Sequence, residues 1–350
     1  MRFIGSVIEK LQRHPKRIVF PEGAEPRVLQ AARQFYSLRL GAPLLLGDRL
    51  RIKKLAAELS VSLEGLRIIN PSESEELSGF AERWAALNRE SGMSLEAART
   101  EMCQPNCFGA MMVAMHQADG LVTGASEATE EALPPLLRII KLAPGVTTAS
   151  SCMVAEVVDS LLGHQGVMFL ADCEVLPQPT PSELADIAVS TAMLARQLLG
   201  VRPRVAMLSH ATKGGSRHPC VVAVEEATRL ARERARAKDL AADFDGGLQL
   251  DAALIPAMAQ RKAPRSPVAG RANVLVFPNL DAGNIASKCI QHVAHANAYG
   301  QILLGMDRPA AEVSRGSTTH DILGVAAIVG VQSIAYQQLY PDAGKRLHGE

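Results

Sequence analysis

Short apolar runs alternate along the chain with longer segments in which apolar residues recur every three to four positions. The runs at 17–20, 44–47 and 167–170 have the length of strands, whereas the spacing at 26–38 and 182–199 is typical of amphipathic helices. Strands that alternate with helices in this way usually form parallel sheets with helices on both faces. The pattern therefore predicts an α/β fold.

The alternation falls into two blocks, separated by the turn-forming sequence Ala143-Pro144-Gly145. In the first block we also predict helices at 1–13, within 73–118 and at 129–142, and strands at 66–69 and 120–124. In the second block we predict strands at 204–208, 249–254 and 273–277, and helices at 219–237 and after 278–284 to about 298. A strand at 302–306 and a helix at 321–339 follow.

The segment 313–321 concentrates polar chemistry immediately before the last predicted helix. Backbone N–H groups at a helix N-terminus bind anions, and the planar fork of Arg315 matches phosphate. Asp321 lies within reach as a base or an orienting group. A purely structural interpretation competes, because Thr318 and Asp321 form a T-x-x-D capping pattern. On these residues alone, the capping interpretation is slightly favoured.

Polar residues also follow several predicted strands of the second block. They share a position at the carboxyl ends of strands, where open α/β sheets bind ligands: Asp172, Ser209, Thr212, Lys213, Asn279 and Asn284. The backbone of 212–216 can hold an anion with the help of one ammonium group. Ordinary turn chemistry explains any one of these loops, but their number favours a polar ligand at this edge.

Composition and charge exclude several classes of protein. The chain has 350 residues, 47% of them apolar, and a formal net charge of +1. A charge this small argues against a nucleic-acid or membrane surface built on bulk charge. No run approaches the roughly 18 apolar residues of a membrane-spanning helix, and the first residues lack a signal-peptide core. We therefore expect a cytoplasmic protein with no membrane or nucleic-acid partner.

The cysteines and histidines do not predict a metal site. Six cysteines are scattered in apolar surroundings, as expected for reduced thiols in the cytoplasm. Cys103 and Cys107 are close in sequence, but no second pair completes a set of ligands. His292 and His295 lie three positions apart without an acidic partner. We predict no bound metal.

The sequence contains neither of the two glycine motifs that bind nucleotides, G-x-x-x-x-G-K-[ST] and G-x-G-x-x-G. It also contains no G-x-S-x-G motif, which is typical of serine hydrolases. Instead, sequences along nearly the whole chain resemble the family of phosphate acetyltransferases and butyryltransferases. The sequences that carry this resemblance are Phe20–Gly23, Ala118–Ala125, Ile139–Gly145, Ala171–Cys173, Val205–Ser209, Thr212–Gly214, Leu248–Ala253, Asn273–Pro278, Ala282–Ile285 and Ser314–Gly316. The segment Ser216–Val221 looks most like the ethanolamine-utilisation branch.

The resemblance implies a fold and a reaction. The family has two three-layer α/β/α domains with largely parallel sheets and an active-site cleft between them. On this chain the implied bounds are 1–145 with 300–350 for the first domain and 146–299 for the second. The implied enzyme is a phosphate acyltransferase that exchanges an acyl group, which we expect to be acetyl, between coenzyme A and phosphate. Coenzyme A is then a substrate, and no tightly bound cofactor is expected.

The resemblance also assigns roles to individual residues. Asp321 is expected to deprotonate the coenzyme A thiol, Arg315 to hold phosphate, and Ser314 to donate to the developing oxyanion. Expected substrate-binding residues are Ser209, Thr212, Lys213, Gly214, Asn284 and Thr129. The family forms homodimers, and the apolar residues distributed around the predicted helix at 321–339 suggest that it is buried on several sides. We therefore expect a homodimer.

The chain departs from the family's pattern at several positions. Pro134 and either Asn88 or Arg89 occupy positions where the family often has arginine, and Glu127 stands in a loop that commonly carries His-Ser-Thr. These changes make the first-domain wall less cationic, unless Arg89 or Arg138 compensates. They motivate an alternative, a catalytically altered relative that binds acyl-CoA as a sensor. A two-domain NAD-dependent dehydrogenase ranks last, because its acidic metal ligands and arginine-rich motif are absent from the sequence.

Overall fold

The computed structural model describes residues 2–158, 160–334 and 336. Contacts within them divide the chain into two compact units. We call residues 6–144 together with those from 306 onward the N-terminal unit, and residues 2–5 together with 145–305 the central unit. This division differs from the predicted domain bounds mainly at residues 2–5 and 300–305. Both units combine helices with largely parallel sheets, which confirms the predicted α/β class.

The N-terminal unit contains five parallel strands in the order β3-β2-β1-β4-β11. The strands are β1 (Lys16–Phe20), β2 (Gly41–Leu46), β3 (Arg67–Ile69), β4 (Gly120–Thr123) and β11 (Ala310–Glu312). The helices are α1 (Arg2–Arg13), in which the division between the units falls, α2 (Pro26–Ser37), α3 (Arg49–Glu58), α4 (Leu77–Leu87), α5 (Leu95–Met102), α6 (Pro105–Ala114), α7 (Thr129–Ile139) and α13 (Thr319–Ile334).

Alternating side chains of β1 and β4 contact helices on opposite faces of this sheet. A Cβ added at Gly109 of α6 would lie 2.9 Å from Leu121 Cδ1 and 3.0 Å from Val19 Cγ1, so these residues face α6. Gly120, one position before Leu121, instead packs against Val329 of α13. Because successive side chains of a strand point to opposite faces, the sheet is covered on both sides. Neither glycine leaves room for a side chain.

Helix α13 is apolar on all sides because it is buried within its own unit. Every residue from Ile322 to Gln332 is buried, and the helix packs against α2 as well as β1, β4 and β11. A second chain is therefore not needed to explain the pattern of this helix. The predicted helix end at 339 lies outside the described residues.

The central unit contains six strands in the order β10-β5-β6-β9-β7-β8. They are β5 (Ser150–Glu156), β6 (Val167–Ala171), β7 (Arg204–Leu208), β8 (Asp243–Leu248), β9 (Val274–Val276) and β10 (Asn297–Leu304). β5 is antiparallel to both β6 and β10, and the other pairs are parallel. The helices are α8 (Pro181–Leu199), α9 (Pro219–Ala237), α10 (Leu250–Leu254), α11 (Pro256–Lys262) and α12 (Leu280–His292).

The predicted strand at 249–254 is wrong. Residues 250–254 form α10, and the strand that pairs with β7 is β8, which precedes it. The sequence of β8, Asp-Phe-Asp-Gly-Gly-Leu, lacks the β-branched residues that indicate a strand. Gly246 is required there because Thr228 of α9 and Met207 of β7 occupy the space of a side chain.

Two strands and one boundary were also missed by the sequence pattern. β5 was not predicted, and neither was β11, a short strand that pairs with β4. The helix expected to continue to about 298 ends at His292, and β10 begins at Asn297. Only the first three residues of the predicted strand at 302–306 belong to β10, a longer strand that starts beside Glu156 and ends at Leu304.

Candidate active site

Two loops of the N-terminal unit leave the carboxyl ends of adjacent parallel strands. β4 leads into residues 124–128, and β11 leads into residues 313–318. The backbone N–H of Val313 donates to Thr123 O at 2.7 Å, which extends the pairing of the two strands by one residue. This is the sheet edge where α/β proteins bind ligands. The predicted catalytic segment therefore lies at such an edge.

Arg27 ties these two loops together. Its guanidinium donates to the backbone carbonyl oxygens of Arg315 at 2.7 Å, Ser317 at 2.7 Å and Ala125 at 2.6 Å. Its Nε also contacts the Glu25 carboxylate at 2.7 Å, and Glu25 caps α2 through the N–H of Val28. Hydrogen bonds with a charged donor are stronger than neutral ones. Arg27 thus fixes the backbone on which Arg315 stands.

Glu22 holds the 124–128 loop from the end of β1. Its carboxylate accepts the backbone N–H groups of Ala125 at 2.8 Å, Ser126 at 2.6 Å and Glu127 at 3.2 Å, and the Ser126 hydroxyl at 2.7 Å. The sequence pattern alone assigns no role to Glu22 or Arg27. The rule applied to the second block, that polar residues after a strand mark a ligand edge, would have pointed to both, because they follow β1.

The segment from Ser314 to Asp321 contains the predicted cap and still presents two charged groups. Asp321 Oδ2 accepts the N–H and the hydroxyl of Thr318, both at 2.8 Å, and the Asp321 N–H donates back to Thr318 Oγ1 at 3.2 Å. Asp321 Oδ1 has no hydrogen bond from any described residue. The capping and catalytic interpretations are therefore compatible, since each uses a different oxygen.

Arg315 and Ser314 differ in exposure. Arg315 is exposed, and within the described ranges no hydrogen bond or ion pair engages its guanidinium. Ser314 is half-buried, with its hydroxyl 3.5 Å from that of Ser317. The structure thus presents an unengaged planar cation beside a partly buried hydroxyl on a fixed loop. That combination can bind a tetrahedral anion and donate to a second oxygen.

Carboxyl groups surround the loop that begins at Gly124. Burial first, and then the neighbouring charge of Glu22, raise the pKa of the Glu127 carboxyl, against a hydrogen bond from the Asn106 amide. Asn106 in turn accepts the Thr123 hydroxyl at 2.6 Å. Thr129, predicted to bind substrate, donates its hydroxyl to the buried carboxylate of Glu312 at 2.9 Å.

The two arginines proposed to compensate for Pro134 have different surroundings. Arg138 forms an ion pair with Glu101 at 3.2 Å and lies over the Trp84 ring, with its Cζ 5.3 Å from the ring centroid. It is therefore already paired, which weakens the expectation that it binds phosphate. Arg89 is exposed in a short 3-10 helix, Arg89–Ser91, and Pro134 is exposed within α7.

In the central unit, the loop after β7 is joined to β8 and α10. Thr212 Oγ1 accepts the N–H of Gln249 at 3.0 Å, and the Lys213 N–H donates to Gly247 O at 2.9 Å. The Lys213 ammonium pairs with the buried Asp245 carboxylate and donates to Gly246 O at 3.1 Å. Lys213 thus holds the loop in place through contacts within the protein. Ser209 is half-buried and Gly214 is exposed.

The other polar residues after strands of this unit have structural partners. Asp172 is buried and accepts four backbone N–H groups at 2.8–3.2 Å, including those of Ser151 and Leu176, and also the Ser151 hydroxyl at 2.5 Å. Asn279 caps α12 by accepting the N–H of Ala282 at 3.0 Å. Asn284 donates to Cys173 O at 3.2 Å. For Asp172 and Asn279, turn and cap chemistry accounts for the residue.

No helix in the part of the chain that the structure describes is long and apolar enough to cross a membrane.

Comparison with known proteins finds close relatives over nearly the whole chain. The family described as "Phosphate acetyl/butaryl transferase" matches residues 2–330. A phosphate acetyltransferase of Thermoanaerobacterium thermosaccharolyticum is 45% identical over 335 residues, which are 95% of this chain and 100% of that protein.

Two solved structures share both fold and sequence with the chain. The EutD phosphotransacetylase of Staphylococcus aureus superposes with a TM-score of 0.86 at 35% identity, and a phosphotransacetylase of Streptococcus pyogenes with 0.86 at 37%. Each comparison covers 95% of this chain and 98% of the solved one.

Proposed function

Because the chain belongs to the phosphate acetyl/butyryl transferase family of acyltransferases, we propose that it exchanges an acetyl group between coenzyme A and inorganic phosphate. The acetyl group is supported by the similarity to relatives named phosphate acetyltransferase, one of them 45% identical along its full length. Coenzyme A and phosphate are substrates in this proposal, and the chemistry requires no bound cofactor.

The observation that carries the proposal is the unengaged guanidinium of Arg315 on a loop fixed by Arg27. A planar fork of N–H donors binds two oxygens of phosphate or of an acyl phosphate at once. The three bonds from Arg27 hold the backbone of this loop before substrate arrives. Such preorganisation favours reaction, because the donors do not have to be ordered during the chemical step.

The proposed reaction uses three residues of the same segment. Asp321 Oδ1 takes the proton of the coenzyme A thiol, and the thiolate attacks the carbonyl carbon of acetyl phosphate. Ser314 donates its hydroxyl to the oxyanion of the tetrahedral intermediate. The bond from carbon to the phosphate oxygen then breaks, and Arg315 stabilises the charge on the departing phosphate. In the reverse direction, phosphate attacks the thioester and Asp321 returns the proton to sulfur.

The binding residues in the central unit and Thr129 remain part of the proposal. Ser209 and Gly214 are supported by their accessibility in the loop after β7. Thr212, Lys213 and Asn284 already contact protein groups, so we propose that they shape the binding surface, and that Lys213 meets substrate only by giving up its contact with Asp245. The Thr129 hydroxyl also contacts a protein group, the Glu312 carboxylate, so we propose that Thr129 shapes the binding surface as well.

No observation favours the alternative of a non-catalytic acyl-CoA sensor. The capping contact of Asp321 does not use its second oxygen, and Arg315 is accessible. The sensor hypothesis requires these catalytic groups to be lost or blocked, whereas Asp321 and Arg315 are both present and available.

We also propose that the protein is a cytoplasmic homodimer. Helix α12 and its C-cap residue Val293 support the dimer, since Ile285, Cys289 and Val293 follow one another at intervals of four positions and form an exposed apolar stripe. Ile285 is 64% exposed and Val293 76% exposed, which is unusual for a stripe on one helix face. A second copy that buries this stripe would remove it from water.

The proposed activity is tested by following thioester formation when purified protein is mixed with coenzyme A and acyl phosphates. We expect turnover with acetyl phosphate and slower turnover with propionyl and butyryl phosphate. Binding of acetyl-CoA without turnover of any donor would contradict the proposal and support the sensor.

A further inference from the structure

Three side chains with nucleophilic or basic groups meet at the start of α9, and the proposed reaction uses none of them. His218 Nδ1 lies 3.0 Å from Cys220 Sγ, and His210 Nδ1 lies 3.7 Å from the same sulfur. The two imidazole rings contact each other edge to face, with centroids 6.0 Å apart. All three residues are exposed, so the group is accessible to solutes. We call it the Cys220 cluster.

The hydrogen bonding of His218 shows which ring nitrogen can act as a base. His218 is the N-cap residue of α9, and its Nδ1 accepts the backbone N–H of Cys220 at 3.4 Å. A nitrogen that accepts a hydrogen bond carries a lone pair. The same nitrogen lies 3.0 Å from the Cys220 sulfur, so it is within reach of the thiol proton and takes it by giving up the hydrogen bond from the Cys220 N–H.

The position of Cys220 on the helix also suits an anion. Pro219 is the first helical residue, and Cys220 follows it in the first turn of a 19-residue helix. The first-turn N–H groups of this helix already donate to His218, but the helix dipole is still positive at this end. Cys220 therefore lies at the end of the helix where a negatively charged side chain is favoured.

The other cysteines lack this combination. Cys152 and Cys173 are buried, and burial raises the pKa of each thiol. Burial, followed by the charge of Glu101, raises the pKa of Cys107 to about 11. Cys289 is exposed, but no histidine contacts its sulfur within the described residues. Cys289 is thus a comparison thiol without a neighbouring base, and because it lies on the stripe proposed to be buried in a dimer, its rate is also measured in the Ile285→Glu variant that is expected to be a monomer.

We propose that Cys220 is a modification site that undergoes exchange with the disulfide of a small soluble thiol, with His218 as its base. The Cys220 proton moves to His218 Nδ1, and the thiolate attacks one sulfur of the small disulfide. A new S–S bond joins Cys220 to that sulfur, the original S–S bond breaks, and the other half leaves as a thiolate. Cys220 is oxidised and the small disulfide is reduced, so no further oxidant is needed.

The test uses glutathione disulfide and the full-length protein, in wild-type form and as the Cys220→Ser, Cys289→Ser and His218→Asn variants. Modification is followed with time by intact-protein and peptide mass spectrometry, and its reversal by dithiothreitol. His218→Asn is the matched variant, because asparagine also caps helices but provides no base. Unchanged melting temperatures show that the variants are folded.

We expect a glutathionyl group to join Cys220 at least about tenfold faster than Cys289, and His218→Asn to slow the reaction at Cys220 by about tenfold. Cys220→Ser should abolish the fast reaction, and Cys289→Ser should leave it unchanged. Equal rates at the two cysteines of the wild-type protein would overturn the proposal. So would a Cys220 rate that does not change in a folded His218→Asn variant. Neither readout depends on acyltransferase activity.

Discussion

The guanidinium of Arg27 donates a hydrogen bond to the backbone carbonyl of Arg315 at 2.7 Å, although the two residues are 288 positions apart in the sequence. The same guanidinium holds Ser317 and Ala125. The residue proposed to bind phosphate therefore stands on a backbone that another arginine fixes. This relationship supplies the first prediction.

Arg27→Ala should lower kcat about tenfold to hundredfold, because the loop that carries Arg315 loses three charged hydrogen bonds and its fixed position. Steady-state kinetics with acetyl phosphate and coenzyme A measure the effect. Arg33→Ala is the matched control, since Arg33 lies on the same helix and donates to one carbonyl, that of Glu64, at 2.7 Å. Equal kcat values for the two variants would show that Arg27 does not position the loop.

Asp321→Asn should separate the cap of α13 from the proposed base. The amide oxygen of asparagine can still accept the Thr318 N–H, so the melting temperature should change little, whereas kcat should fall by about 10²–10⁴. Thr318→Ala should do the opposite and cost about 1 kcal/mol of stability with a small effect on kcat. Kinetics and thermal melts of both variants make the comparison. An Asp321→Asn variant that is unstable but fully active would identify Asp321 as a cap alone.

Glu127→Gln should change how stability depends on pH. Burial and the charge of Glu22 raise the pKa of Glu127 in the folded chain above its ordinary value of 4.5. The folded state then holds its proton more tightly than the unfolded state, so stability is lost as pH rises above 4.5 through the folded-state pKa. Thermal melts at several pH values should show the variant to be more stable than wild type at neutral pH. The difference should disappear below about pH 4. A difference in stability between variant and wild type that stays constant across this pH range would show that the raised pKa of Glu127 is not its cause.

The exposed stripe of α12 should control the oligomeric state. Val293→Glu and Ile285→Glu place charges on it and should convert a dimer into a monomer in sedimentation experiments. Leu50→Glu is the control, because Leu50 is also 76% exposed but belongs to α3 of the other unit. A wild-type protein that sediments only as a monomer at micromolar concentration would disprove the dimer itself.

The sequence predicts those helices and strands whose spacing of apolar residues depends only on neighbouring residues in the chain. α9 and β7 have the predicted bounds, because their apolar spacing alone distinguishes helix from strand. The sequence does not predict β8, because its residue 246 is glycine. The close approach of Thr228 requires that glycine, and no local pattern reveals this contact. The segment 250–254 was misassigned because an apolar run this short fits either a strand or one turn of helix.

The site shows the same limit. Arg315 and Asp321 could be proposed from the sequence because phosphate chemistry and helix capping depend on nearby residues. The contribution of Arg27 could not, because it consists of bonds to backbone carbonyls from distant parts of the chain. Lys213 could be placed in a polar loop, but its pairing with the buried Asp245 requires the fold of β8.

The central claim is that the Arg315 guanidinium binds phosphate, and the kinetics of Arg315→Lys and Arg315→Ala test it most directly. Lysine keeps the charge but loses the planar fork, and alanine loses both. We expect normal melting temperatures for both variants, since Arg315 is exposed on a loop. Turnover should fall in both, by about 10²–10³ in alanine and less in lysine. The KM for acetyl phosphate or phosphate should rise more than that for coenzyme A.

Arg51→Ala, which removes an exposed arginine from α3, should leave these constants unchanged. Turnover of Arg315→Ala close to that of wild type and Arg51→Ala, with an unchanged KM for acetyl phosphate, would contradict the account of this loop as the catalytic centre.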